Sequence, residues 1–311
     1  MTVEGIIARR GVRRFLRSPT KIFALIVLIG AAGLIVPVIA IGLIASAPAP
    51  AAVGAPPDDL GAGSVEFQSA SGAMIKGWFI TGRPGGGAVV LMHGVRGNRV
   101  PMLRRARLLK SAGFSVLLFD FQAHGESTGR RITFGALEGR DAAAALAFVR
   151  VRLPGEKVGA IGTSLGGAAA LLGTPPLAAD ALVLEAVYPD IGAATANRIG
   201  AVLGEPLGAI VSRPVARLFE LLVAPILGVA PSDLRPIDRI GDITAPVMII
   251  GGAIDLLTTP AETRALFARA REPKSLWMLD DAGHYDFEAH APDAYRARVL
   301  AFLAQALQRP N

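Results

Sequence analysis

A mostly parallel sheet covered on both faces by helices, preceded by one membrane-spanning helix, is predicted by three features of the sequence. From about residue 88 onward, short continuous apolar runs alternate with longer amphipathic or Ala-rich segments, the pattern of an α/β protein with strands buried on both sides. An uncharged apolar stretch runs from Ile22 to Ala47. The 311 residues are 52% hydrophobic and 18% charged and include no cysteine. That composition excludes a disordered chain, and the missing cysteine excludes disulfides, thiolate metal sites and a cysteine nucleophile.

The first 21 residues carry Arg9, Arg10, Arg13, Arg14, Arg17 and Lys21 against Glu4, so most of the net charge of +7 is concentrated there. The rest of the chain has no basic run with interleaved aromatics, and nucleic acid is excluded as a partner. As a helix, residues 22–47 would extend about 39 Å, more than the roughly 30 Å of a bilayer's hydrocarbon core. Ala45-Ser46-Ala47 has the form of a signal-peptidase site, but the apolar run exceeds the usual signal core of about 7–15 residues, which favours an uncleaved anchor. Lys and Arg lie before the span and none falls between Pro48 and Phe67. Residues 1–21 are therefore expected to form a cytoplasmic tail, with everything beyond the span extracytoplasmic or periplasmic.

Residues 48–63, PAPAAVGAPPDDLGAG, read as a linker lifting a domain of residues 64–311 off the bilayer. Val65–Phe67 and Ile75–Ile80, separated by Ser71-Gly72, predict an antiparallel pair at one sheet edge. Strands are then expected at 88–92, 115–120, 158–162, 181–186, 246–252 and 275–279, with helices between them and a last helix over 292–307. Residues 191–232 interrupt this rhythm with Pro-punctuated apolar segments and predict a small helical cap, with Pro206 and Pro214 in helix first turns. Val215, Leu218 and Leu222 recur on one helical face, expected to bind an acyl chain. The competing readings are packing alone, or contact of Leu221–Ala230 with the bilayer.

Gly162-Thr163-Ser164-Leu165-Gly166 fits G-x-S-x-G between a strand and a helix, the setting of an exposed nucleophilic serine. A serine needs a histidine base and a carboxylate that fixes its tautomer. Asp255 and His284 each follow a predicted strand, in the order Ser, Asp, His. Asp280 and Asp281 compete with Asp255 but would have to bend back to reach the ring. His93 and His124 precede the serine and are expected to shape loops; His290 is expected at the surface. None of the four histidines forms an i, i+4 pair, which argues against a structural or catalytic zinc; the serine-hydrolase reading calls for no metal or organic cofactor.

On these motifs, together with LMHGVRGN (91–98) and DFQAHGES (120–127), the chain from about Ser64 to Leu307 resembles the alpha/beta-hydrolase superfamily, of the kind related to bacterial esterases and alpha/beta-hydrolase domain-containing proteins. The resemblance implies an alpha/beta-hydrolase fold with Ser164 as nucleophile, Asp255 as acid and His284 as base. It also implies an oxyanion hole from the backbone amides of Val95 and Leu165. Gln122 and Ala123 stand where the family often has Arg and Gly. The expected activity is hydrolysis of an ester or thioester of a small-molecule or lipid-like acyl substrate. The same residues could serve a peptidase, amidase or acyltransferase, and a non-catalytic scaffold is the rival from another class.

Overall fold

The computed structural model describes residues 18–308. The basic tail's Arg9, Arg10, Arg13, Arg14 and Arg17 lie outside the described residues. Helix α1 spans Pro19–Ser46, with Pro37 inside it. Its first half is exposed around its whole circumference, while Val38, Gly42 and Ser46, four apart on one face, are buried.

Eight strands form one sheet: β2 (Gly63–Gln68), β3 (Met74–Ile80), β4 (Ala88–Met92), β5 (Ser115–Phe119), β7 (Val158–Thr163), β8 (Leu182–Glu185), β9 (Val247–Gly252) and β10 (Lys274–Leu279). Their order is β10-β9-β8-β7-β4-β5-β3-β2. Pairing is parallel from β10 to β5, whereas β3 and β2 are antiparallel, as the hairpin signal at Ser71-Gly72 predicts. The central strands β4, β5, β8 and β9 are buried at every position, because helices cover both faces.

The covering helices are α2 (Leu103–Ser111), α3 (Glu138–Arg152), α4 (Leu165–Leu172), α8 (Pro260–Arg269) and α9 (Pro292–Leu307). Helix α8 starts at a capping box, Thr259 accepting from the Glu262 amide and Glu262 from the Thr259 amide. Between β8 and β9 the chain forms α5 (Ile191–Leu203), α6 (Leu207–Leu227) and a short turn α7 (Pro236–Arg239). The helices α5 and α6 are the expected cap. Pro206 precedes α6 directly, but Pro214 lies in its interior rather than at a helix start. A helix tolerates that loss of one backbone bond when its apolar face stays packed, here through Ala216, Phe219 and Val223.

The segment read as a free linker is laid along the domain instead. Ala49–Pro50 (β1) pairs in parallel with His124–Gly125 (β6), and the amides of Val53 and Gly54 donate to Glu126 Oε1 at 3.1 and 3.0 Å. Leu60 is buried and Asp59 pairs with Arg107. Pro and Ala lack polar side chains, but their carbonyls and remaining amides still pair with backbone. The strap therefore holds the end of α1 against the domain.

Candidate active site

Strand β7 ends at Thr163 and α4 starts at Leu165, so Ser164 occupies the turn between them at φ +51°, ψ −109°. That conformation is costly for a non-glycine residue, by about 1–3 kcal/mol. The flanking glycines make it possible: a Cβ on Gly166 would lie 2.3 Å from the Met92 carbonyl, and one on Gly162 would lie 2.5 Å from the Gly167 amide. Ser164 donates its own amide to the Glu185 carbonyl at 2.7 Å.

Asp255 follows β9 and is buried. Its Oδ1 accepts from the amides of Leu257 (2.7 Å) and Thr258 (2.9 Å), which leaves Oδ2 for His284 Nδ1 at 2.8 Å. Asp281, its rival, is exposed and meets His290 Nε2 at 3.0 Å. Both His290 and Asp281 are thus removed from the site. The Ser164 hydroxyl makes no hydrogen bond within the described residues, so its link to His284 is open in this state; such bonds commonly close only with substrate.

His93 and His124 have the loop-shaping roles expected of them. His93 Nε2 accepts the Phe121 amide at 3.1 Å and its Nδ1 meets the Gly94 carbonyl at 2.7 Å. His124 Nε2 accepts the Arg96 amide at 3.1 Å, and its Nδ1 meets the Gln122 carbonyl. Burial, reinforced by the neighbouring His124, depresses His93 to about 3, and burial lowers His124 as well. Both rings are neutral and committed to backbone. The substituted loop is well supported too: Gln122 Nε2 donates to the Arg131 carbonyl and Glu138, and its amide donates to Asp141.

Ser164, Leu165 and Val95 share the wall of a cavity of about 590 Å³. A Cβ on Gly94 would sit 3.8 Å from Ser164 Cβ, which brings the loop after β4 beside the serine. The Leu165 and Val95 amides donate to no group among the described residues. Leu165 is the first residue of α4, where amides point outward and negative charge is favoured. Among the described residues no three metal-ligating side chains gather.

The sequence profile of the Alpha/beta hydrolase family matches residues 89–298. The chain belongs to this family. As an alpha/beta hydrolase it is similar to the uncharacterized protein YfhR of Escherichia coli O157:H7, with 25% identity over 82% of this chain and 85% of that one. It is also similar to the uncharacterized protein Rv2307c of Mycobacterium tuberculosis, with 28% identity over 76% and 75%. Among solved structures it resembles the Pyrococcus furiosus esterase Pf2001, at TM-score 0.67 and 24% identity over 84% of this chain and 98% of that one. The Exiguobacterium antarcticum esterase EaEST aligns at TM-score 0.57 and 15% identity, over 78% and 99%.

Within the alpha/beta-hydrolase frame, several site features escaped the sequence. The cap contributes Val211, Val215 and Phe219 to the cavity, while Leu218 and Leu222 pack on the core. The inner face is therefore turned from the expected one, since α6 packs against both α5 and α1. Arg198 also lines the cavity, half-buried, with Nη1 on the Ala194 carbonyl at 3.1 Å; burial lowers its pKa. Most unexpected is the wall supplied by α1 through Val38, Ile41, Gly42 and Ala45. The signal was present in Gly42 and Ser46, small residues four apart that permit close helix approach.

Proposed function

We propose that this alpha/beta hydrolase is a membrane-anchored serine hydrolase that cleaves a carboxylic ester or thioester through an acyl-enzyme. One observation carries the reading: Ser164 stands in a strained strand-to-helix turn facing an apolar cavity, with two unengaged amides beside it and the Asp255–His284 pair following β9 and β10. In the proposed reaction Ser164 Oγ attacks the acyl carbon while His284 Nε2 takes its proton. The amides of Leu165 and Val95 bind the developing oxyanion. The carbon–oxygen or carbon–sulfur bond then breaks, and the leaving group departs with the proton from His284. Water attacks the acyl-enzyme, gives one proton to His284, and the acid leaves as that proton returns to Ser164 Oγ. Asp255 holds Nδ1 protonated and stabilises the imidazolium.

Helix α1 acts as an uncleaved anchor in this reading, with its N-terminus in the cytoplasm and the hydrolase domain outside. Its length of 28 residues and a mean hydropathy of 2.9 over an 18-residue window suit a span, and its seat on the domain is a reason for retaining it. The test is reaction of the full chain with a broad serine-directed fluorophosphonate. Ser164→Ala should abolish both labelling and ester hydrolysis with folding intact; undiminished labelling of that variant would overturn the assignment.

A further inference from the structure

The cavity at Ser164 is closed on one side by the helix that crosses the membrane. Gly42 is the point of closest approach: a Cβ there would lie 2.9 Å from Ile226 Cδ1 and 3.0 Å from Phe219 Cε2, both on α6. The end of α1 is fastened as well as packed. Arg96 Nη1 donates to the carbonyls of Ile44 (3.2 Å), which also accepts the Ala47 amide, and of the capping residue Ala47 (3.3 Å), and the Ile132 amide donates to the Ser46 carbonyl at 2.7 Å.

The level of the cavity relative to a bilayer follows from burial along α1. From Pro19 to Pro37 nearly every residue is exposed, Phe23, Leu28 and Val36 by 69%, 66% and 61%. That stretch is about 28 Å long at 1.5 Å per residue, the thickness of a hydrocarbon core. Protein contact begins at Val38, the next residue, and Val38 is also the first residue of α1 in the cavity wall. The cavity therefore starts where the lipid ends.

Its rim is apolar. Ile41, Val202 and Leu203 line the cavity and remain 64%, 84% and 39% exposed, and Leu207 and Ile210 continue the exposed apolar surface onto α6. A mouth serving water-soluble esters has no use for such a rim, whereas at a membrane interface these side chains face acyl chains.

We infer that α1 is one wall of the acyl-binding site, and that the substrate is a bilayer-resident acyl lipid whose chain passes from the membrane into the cavity beside Ile41 and lies against Val38, Gly42 and Ala45. This rests on the serine-hydrolase reading above and adds a substrate class and a route of entry. The anchor is thereby part of substrate recognition as well as a tether.

The test uses the full chain in phosphatidylcholine vesicles with p-nitrophenyl butyrate and p-nitrophenyl palmitate. Ala45→Phe fills the wall, and Val36→Phe places the same ring on the lipid-facing side of α1 as a control. For Ala45→Phe, kcat/KM for the palmitate should fall about fourfold for each methylene displaced, equivalent to about 0.8 kcal/mol, so tenfold or more in all. Butyrate hydrolysis should fall far less, so that the palmitate-to-butyrate ratio of kcat/KM drops tenfold or more, and Val36→Phe should leave that ratio unchanged. Equal loss on both esters in a folded Ala45→Phe protein, or no loss on either, overturns the inference and leaves the hydrolase reading standing. If the wild-type chain cleaves neither ester and takes no fluorophosphonate, the hydrolase reading fails and the inference with it. A milder variant guards against misfolding: Ala45→Cys carries the sole thiol of the chain. Prior reaction with a hexadecyl fluorophosphonate should protect that thiol from maleimide, and an ethyl fluorophosphonate should not; equal maleimide labelling after both refutes the shared wall.

Discussion

Replacing Asp255 by Asn isolates the carboxylate's role with almost no change in shape. Asp255 uses Oδ1 for two backbone amides at 2.7 and 2.9 Å and Oδ2 for His284 at 2.8 Å. An asparagine has one acceptor oxygen, and two amide donors already claim that position. Its NH2 group must then face His284 Nδ1, which can accept only in the tautomer that protonates Nε2. That tautomer is unable to take the Ser164 proton, and the imidazolium loses its counter-charge. In a serine protease the equivalent change costs about 10⁴-fold in kcat, or about 5.5 kcal/mol at 1.36 per decade. The expectation for Asp255→Asn is a loss of 10³-fold or more in p-nitrophenyl butyrate turnover, with the thermal midpoint little changed. Asp281→Asn is the matched control: its carboxylate is exposed and meets only His290, so turnover should stay within about twofold. Similar losses in the two variants, or a loss under tenfold for Asp255→Asn, would refute the assigned roles.

Topology is checked by adding protease to spheroplasts: the hydrolase domain should be digested while a tag at the N-terminus survives, and the reverse pattern inverts the orientation. A mature chain beginning just after Ala47 would show instead that α1 is removed. Two buried groups should make stability respond to pH in opposite senses. His93, depressed to about 3 against about 6.5 unfolded, is protonated only in the unfolded chain, so its stabilisation is lost as pH falls below 6.5, by about 2 kcal/mol between pH 7 and 5. Asp141, raised by burial to about 7, is protonated first in the folded chain, so it contributes stability of similar size as pH falls over the same interval. Denaturant unfolding should therefore be nearly flat with pH in the wild type and fall with acid in Asp141→Asn; a flat profile in that variant would refute the pair of assignments.

The parts of the molecule that depend on local rules were readable in advance. Ser164, Asp255 and His284 each follow a strand marked by a continuous apolar run, and parallel packing brings strand C-termini to one edge whatever the details of the connections. The hairpin at Gly72 and the last helix over 292–307 match for the same reason. What failed depends on partners distant in sequence. A Pro/Ala/Gly segment has no side-chain signal for pairing, yet Ala49 and Ala51 donate to the carbonyls of Ala123 and Gly125. The spacing of Val215, Leu218 and Leu222 fixes a helical stripe but not its direction, which was set by α1, an element that hydropathy alone assigns wholly to lipid.

The strained serine needs a rigid surround, and the structure supplies one that no motif announces. Glu185, at the end of β8, accepts the Ser164 amide through its carbonyl and the Thr163 hydroxyl through Oε2 at 2.8 Å. Arg105 meets the same carboxylate at 2.7 Å, and the Tyr295 hydroxyl donates to it at 2.5 Å. Arg105 also meets Asp286, close in the chain to His284. A buried ion pair of this kind adds little net stability, because its desolvation offsets its attraction. Its value lies in geometry: every polar atom of Glu185 is engaged, so the strand end cannot rotate without leaving a buried charge unpaired, at several kcal/mol. That exceeds the roughly 1–3 kcal/mol stored at φ +51°, so relaxation of the turn is uphill. Ser164 is held in place on one side by this network and faces, on the other, a cavity completed by the apolar helix α1.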